Sequence, residues 1–161
     1  MDGIGHARIA ATVAVVGTAT AAYAGITPVT GGVVAGLWAG WLITPDADHH
    51  TLTHEERRWK PVPLLGPYLI DLWSGYGSTR RHRGRSHWII WGTATRIVYF
   101  ARRIAADVLL FAYVAALASG TDLHVILPAL PSGPFLLAMF AAWAVQDAVH
   151  IITDVIWSGL R

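Results

Sequence analysis

The chain has 161 residues, of which 54% are hydrophobic and 14% charged, with a formal net charge of only +2. Its length suits one domain, and its composition lies far from the soluble average. There is no cysteine, so disulfides and thiolate metal sites are excluded, and any metal must be held by His, Asp, Glu and water.

The apolar residues come in blocks of helical length rather than at an amphipathic period, the pattern of lipid-facing helices. Eight Trp and five Tyr suit belts at a membrane interface. The reading is an all-α integral membrane bundle of about four antiparallel helices, one domain over residues 1–161.

The first block runs from Ile4 to Gly25, about 22 residues or about 33 Å of helix, enough to cross a bilayer. Ala22-Tyr23-Ala24 resembles a signal-peptidase site. The block lacks a starting Lys/Arg cluster, however, so it is expected to stay uncleaved and to keep His6 in the protein. Ile26 to Gly32 reads as a turn, and Val33 to Thr44 as a shorter second block whose small residues permit close packing. Pro45 ends it and leaves Asp46 and Asp48 just past the terminus.

From His49 to Gly84 the chain is polar and broken by Pro61, Pro63, Pro67, Gly66, Gly75 and Gly77. Loop is expected there, with a short interfacial helix near Tyr68 to Trp73, and the whole of 45–85 forms a candidate lid. His49, His50, His54, Glu55 and Glu56 read as a solvated patch, with one further metal ligand as the alternative. Next, Thr79 to Trp88 sets His82 and His87 among Arg80, Arg81, Arg83 and Arg85, ahead of a long apolar segment. It opens a helix, whose free N–H groups favour anions, so the stretch suits a metal and a phosphate. Taken alone, the arginines fit a cytoplasmic topology anchor.

Ser86 to Ser119 can be one helix or two. Arg96, Arg102, Arg103 and Asp107 make its first half too charged to face lipid, which leaves roughly Ile104 to Ser119 as a span. Parity favours one. With four antiparallel helices His6, Asp46, Asp48, His87, His150 and Asp154 all meet at one end, where His82 in the approach to the third helix adds a seventh candidate ligand, whereas a split would send His150 and Asp154 to the far side. Gly120 to Pro134 is then the outer connection, and His124 an ordinary loop residue. Both termini and the metal site fall on the cytoplasmic side, in agreement with the positive-inside rule.

His150 and Asp154 are four residues apart and can reach one ion from one helix face. Asp46 and Asp48 would repel each other unless a cation lay between them. Such groups at a membrane edge are costly unless paired, and here they converge.

These motifs carry a resemblance. His-Arg-x-x-Ser-His-x-x-Ile-x-Gly-Thr-x-x-Arg-x-x-Tyr, present from His82 to Tyr99, resembles a group of uncharacterised membrane metal-binding proteins. That group is similar in turn to LexA-regulated membrane-bound metal-dependent hydrolases. Those families also show a His near the start, a Pro-Asp-x-Asp and a terminal His-x-x-x-Asp. The counterparts here are Gly5-His6, Pro45-Asp46-Ala47-Asp48 and His150 to Asp154. Many relatives carry Thr-His or His-Asp where this chain has Gly5-His6-Ala7, which leaves a second ligand there open. The pattern is more distantly similar to zinc-dependent phospholipases C and fungal zinc nucleases.

The resemblance implies zinc, as one or two ions, with Mn or Mg as alternatives. It also implies hydrolysis of a phosphoester by a metal-activated water. Arg83 and Arg85 would bind phosphate oxygens, and Asp147 and Gln146 would support the ligands from behind. Arg83, Arg85 and Asp147 are thus the residues assigned to catalysis. The expected partners are membrane lipids and an anionic, phosphate-containing substrate, with an oligomer allowed for. A nucleic-acid role lacks interleaved stacking aromatics beyond Trp88. The competing reading is a non-catalytic membrane protein whose metal staples helix ends while its arginines grip anionic lipid or a partner.

Overall fold

The computed structural model describes residues 3–48, 54–78, 88–122 and 131–159, with the side chains of 3, 4, 47, 48, 54–56, 158 and 159 outside that description. The described residues form helices only. These are α1 (Gly3–Tyr23), α2 (Pro28–Leu42), a 3-10 turn (Pro45–Asp48), α3 (His54–Trp59), α4 (Leu65–Gly77), α5 (Ile89–Ser119) and α6 (Gly133–Gly159). The all-α expectation holds for these residues.

α1 tolerates its hydroxyl residues because Thr12, Thr18 and Thr20 bond back to the carbonyls of Arg8, Ala14 and Val16. It stops just before Gly25, whose φ of 97° is a left-handed value that glycine adopts without strain. α2 starts five residues earlier than the sequence reading placed it. Thr27 caps it, the Thr30 hydroxyl closes a reciprocal capping box, and Pro28 opens the first turn.

Gly31 and Gly32 are therefore helical. Gly32, Gly36 and Gly40 repeat every four residues and share one face of α2. A Cβ at Gly32 or Gly36 would overlap the carbonyl oxygen of Phe135 or Met139 on α6, and one at Gly40 would meet the Gln146 side chain. The helices approach this closely because the residues are glycines, and α2–α6 is the most extensive helix contact of the fold. The Gln146 amide donates to Ala10 O at 2.9 Å and to Leu37 O at 3.2 Å, so one buried side chain ties α1, α2 and α6 together. That bracing role differs from the support of metal ligands expected of Gln146.

Residues 54–77 contain two helices, where loop with one short helix was expected. α4 buries Leu72, Trp73 and Tyr76 against Phe100 of α5, with Leu42 and Ile43 beside them. Its outer edge is polar: Tyr68 donates to Asp107 at 3.0 Å, and Arg103 pairs with Asp71 at 2.7 Å and lies 3.5 Å from Asp107. Burial, followed by the neighbouring Asp107, raises the Tyr68 phenol above its ordinary pKa.

α5 is continuous over 31 residues, about 46 Å at 1.5 Å per residue. It ends at Gly120, which takes the left-handed cap conformation. Its contacts with α6 gather near its start. From Ile104 onward Leu110, Phe111, Val114 and Leu117 are more than half exposed. Among the described residues one stretch, Gly133–Trp157, is long and apolar enough to cross a membrane, while Pro28–Leu42 is apolar but shorter.

Candidate metal centre

Three separate elements deliver four of the expected ligands to one place. α1 carries His6 in its first turns, the 3-10 turn after α2 carries Asp46, and α6 carries His150 and Asp154 one turn apart. His6 Nε2 is 2.9 Å from Asp154 Oδ1. His150 Nε2 lies 3.4 Å from Asp46 Oδ2 and 3.7 Å from Asp154 Oδ2. The two imidazoles sit 4.6 Å apart, centroid to centroid. One donor atom from each of His6, His150 and Asp154 falls within 4.8 Å of the other two.

Burial is one-sided. The His6 and His150 side chains are 10% and 4% exposed, whereas those of Asp154 and Asp46 are 31% and 29% exposed. The rings lie inside, and the carboxylates lie nearer the surface.

This donor set fits a divalent cation on structural grounds. His150 Nε2 and His6 Nδ1 are buried without a hydrogen-bond partner. For His150 the reason is distance: 3.4 and 3.7 Å exceed the usual limit of about 3.2 Å, and an unmet buried donor or acceptor costs about 1–3 kcal/mol. A tetrahedral ion with bonds of about 2.0–2.1 Å sets its ligand atoms about 3.3 Å apart. The observed spacings bracket that value. The neutral imidazole is the form that binds metal.

Asp147, one turn before His150 on α6, points into a different contact. Its Oδ2 accepts from Thr93 Oγ1 and from the Arg96 guanidinium of α5, with all three side chains fully buried. Thr93 and Arg96 supply the counter-charge and hydrogen bonds that a buried carboxylate requires. Asp147 Oδ1 has no hydrogen-bond partner. The pair joins the start of α5 to the helix that holds His150 and Asp154. Sequence reasoning flagged Arg96 as too polar for lipid but did not connect it to Asp147. The available signal was that Arg96 and Asp147 are opposite charges flanked by apolar neighbours in two long helices, and such charges usually find one another.

The Asp48 side chain and residues His82, Arg83, Arg85 and His87 lie outside the described residues, as does His124. His49 and His50 do too, and of His54, Glu55 and Glu56 only the helical backbone is described.

An all-α fold that brings two imidazoles and two carboxylates into one cluster defines a helical protein with a candidate His/Asp metal site. The chain belongs to the family of uncharacterized metal-binding proteins DUF2227, whose family model matches residues 2–161. No curated protein and no solved structure shows significant similarity to it.

Proposed function

We propose that the protein is a metal-dependent hydrolase of the cytoplasmic membrane surface, acting on the phosphoester of a phospholipid or another lipid-linked phosphate. The observation that carries this reading is the one-sided cluster of His6, His150, Asp154 and Asp46. Catalytic sites combine about three protein ligands with an open position, and here the carboxylates are a third exposed while the rings are buried. A bound divalent ion supplies Lewis acidity and acidifies water at neutral pH. Zinc suits the His/Asp donors best, with Mn or Mg as alternatives.

In this reading His6, His150, Asp154 and Asp46 hold the ion. Asp48, His82 and His87 complete the site or hold a second ion. Seven donors exceed the four that one zinc needs, so two ions fit, as does one ion with carboxylates supporting the imidazoles from behind. Arg83 and Arg85 grip the non-bridging phosphate oxygens through their planar forks, and residues 45–85 cover the substrate. Asp147, held by Arg96 and Thr93, fixes the face of α6 that presents His150. Membrane residence is supported by the apolar stretch Gly133–Trp157 and by the exposed apolar half of α5. With the positive loop inside, both termini and the metal site are cytoplasmic.

Elemental analysis of the purified protein followed by hydrolysis of a chromogenic phosphodiester tests the reading. One or two ions per chain and turnover abolished by a chelator are expected. Bound metal without turnover under any divalent ion would favour the staple reading. That alternative rests on a specific observation: the ligands come from α1, the turn after α2, and α6, so an ion there ties three elements together.

A further inference from the structure

The outward face of α5 carries a groove separate from the His/Asp cluster. A groove of about 640 Å³ runs along Trp91, Thr95, Val98, Tyr99, Arg102 and Arg103, a size that suits a polar headgroup rather than a bare ion. Its two charged lining residues are both arginines, but they are not equivalent. Arg103 is committed to Asp71 and Asp107, and both carboxylates lie on its α4 side, where Tyr68 also holds Asp107. Arg102 is exposed and has no ion-pair partner among the described residues.

The helix changes character at this point. Before it come Trp91 and Tyr99, amphipathic rings of the kind that sit at headgroup level. After it the same face continues as Ala106, Leu109 and Tyr113, at offsets of four, seven and eleven residues from Arg102, so all lie on one stripe. Leu109 is 50% and Tyr113 55% exposed. Eleven residues span about 16 Å, close to half of a hydrocarbon core of about 30 Å. The stripe thus matches one leaflet's depth, with a guanidinium at its edge.

We propose that this face of α5 binds one anionic phospholipid, its phosphate on the Arg102 guanidinium and an acyl chain along Leu109 and Tyr113. The proposal rests on the membrane reading above but not on the metal centre or on catalysis. A guanidinium offers a phosphate two parallel donors, and the groove gives the remainder of the headgroup room beside Thr95 and Tyr99. A zwitterionic lipid has the same phosphate but carries its own cation, which Arg102 would repel.

The test is native mass spectrometry of the full chain, released from detergent with equimolar phosphatidylglycerol and phosphatidylcholine. One retained phosphatidylglycerol is expected, in preference to phosphatidylcholine. Arg102→Gln should reduce its retention about tenfold, the effect of losing one charge-assisted contact. Arg58→Gln, at an exposed arginine outside the groove, should not. Asp154→Ala, which disrupts the metal centre, should also keep the lipid. Equal retention of both lipids, an unaffected Arg102→Gln protein, or loss of the lipid in Asp154→Ala would overturn the proposal while leaving the membrane reading intact. A chain that stays dispersed without detergent and binds neither lipid would overturn both.

Discussion

His6 on the first helix and Asp154 on the last are in direct contact, with Nε2 and Oδ1 2.9 Å apart. His150 Nε2 lies 3.7 Å from the other oxygen of the same carboxylate, so one aspartate is shared between two rings. Asp154 is therefore the residue whose loss should do most damage. Asp154→Ala and His6→Ala should each lower bound metal to below about a tenth of an ion per chain and reduce thermal stability in the metal-loaded protein. Asp122→Ala, at an exposed position after α5, should do neither. Elemental analysis with thermal melts checks this, and equal metal content in all three would show that the cluster binds no ion.

Gly36→Ala should destabilise the fold by about 1–3 kcal/mol, the usual cost of overpacking, because the added methyl overlaps the Met139 carbonyl. The effect should reach the metal. Asp46 follows α2 directly while His150 rides on α6, so forcing these helices apart separates two ligands. A chemical denaturation curve together with a metal titration reads both effects. Ala at Gly133, where no atom lies within 4 Å of the added carbon, is the matched control.

Asp147→Asn should separate stability from ligation. It removes the Asp147 charge from the buried Arg96–Asp147 pair, a loss of about 3–5 kcal/mol for a buried pair. Metal content should persist with affinity weakened about 10–100-fold, as for a residue that orients a ligand. Arg96→Met combined with Asp147→Leu should recover much of the stability, since replacing both partners removes the unpaired charge. A double-mutant cycle measures the coupling, and additive losses would mean that the two side chains act independently.

Arg85→Lys should keep charge and metal but slow phosphodiester turnover about tenfold or more, because the bidentate fork is lost. If Arg85 serves only to orient the chain in the membrane, Lys is equivalent and turnover is unchanged. Kinetics on metal-loaded protein distinguish the two outcomes.

Much of the site was legible because its residues are expensive. His6, Asp46, His150 and Asp154 stand at the ends of apolar blocks, and the parity of the helices alone placed them together. What escaped was the work of small and isolated residues. Gly31-Gly32 looked like a turn, since two glycines favour one. The Thr27-Pro28 start and the shape of α6 keep them helical instead. α3 was missed because a six-residue segment with five charged or ionisable side chains, His54 to Trp59, has no periodicity to read. Arg96 and Asp147 were each noticed, but nothing local to either residue names its partner.

The Arg96–Asp147 contact also sets an order on how the chain is made. α5 is synthesised before α6, so the guanidinium exists for some time before the Asp147 carboxylate is made, in a helix whose neighbouring residues become buried. Neither helix is a comfortable resident of an apolar environment alone; the two are compatible with it only as a couple. A nascent chain stalled between them, or one whose last helix docks late, therefore lacks the Asp147 carboxylate that this guanidinium meets in the finished fold, and the contact closes only once α6 is in place.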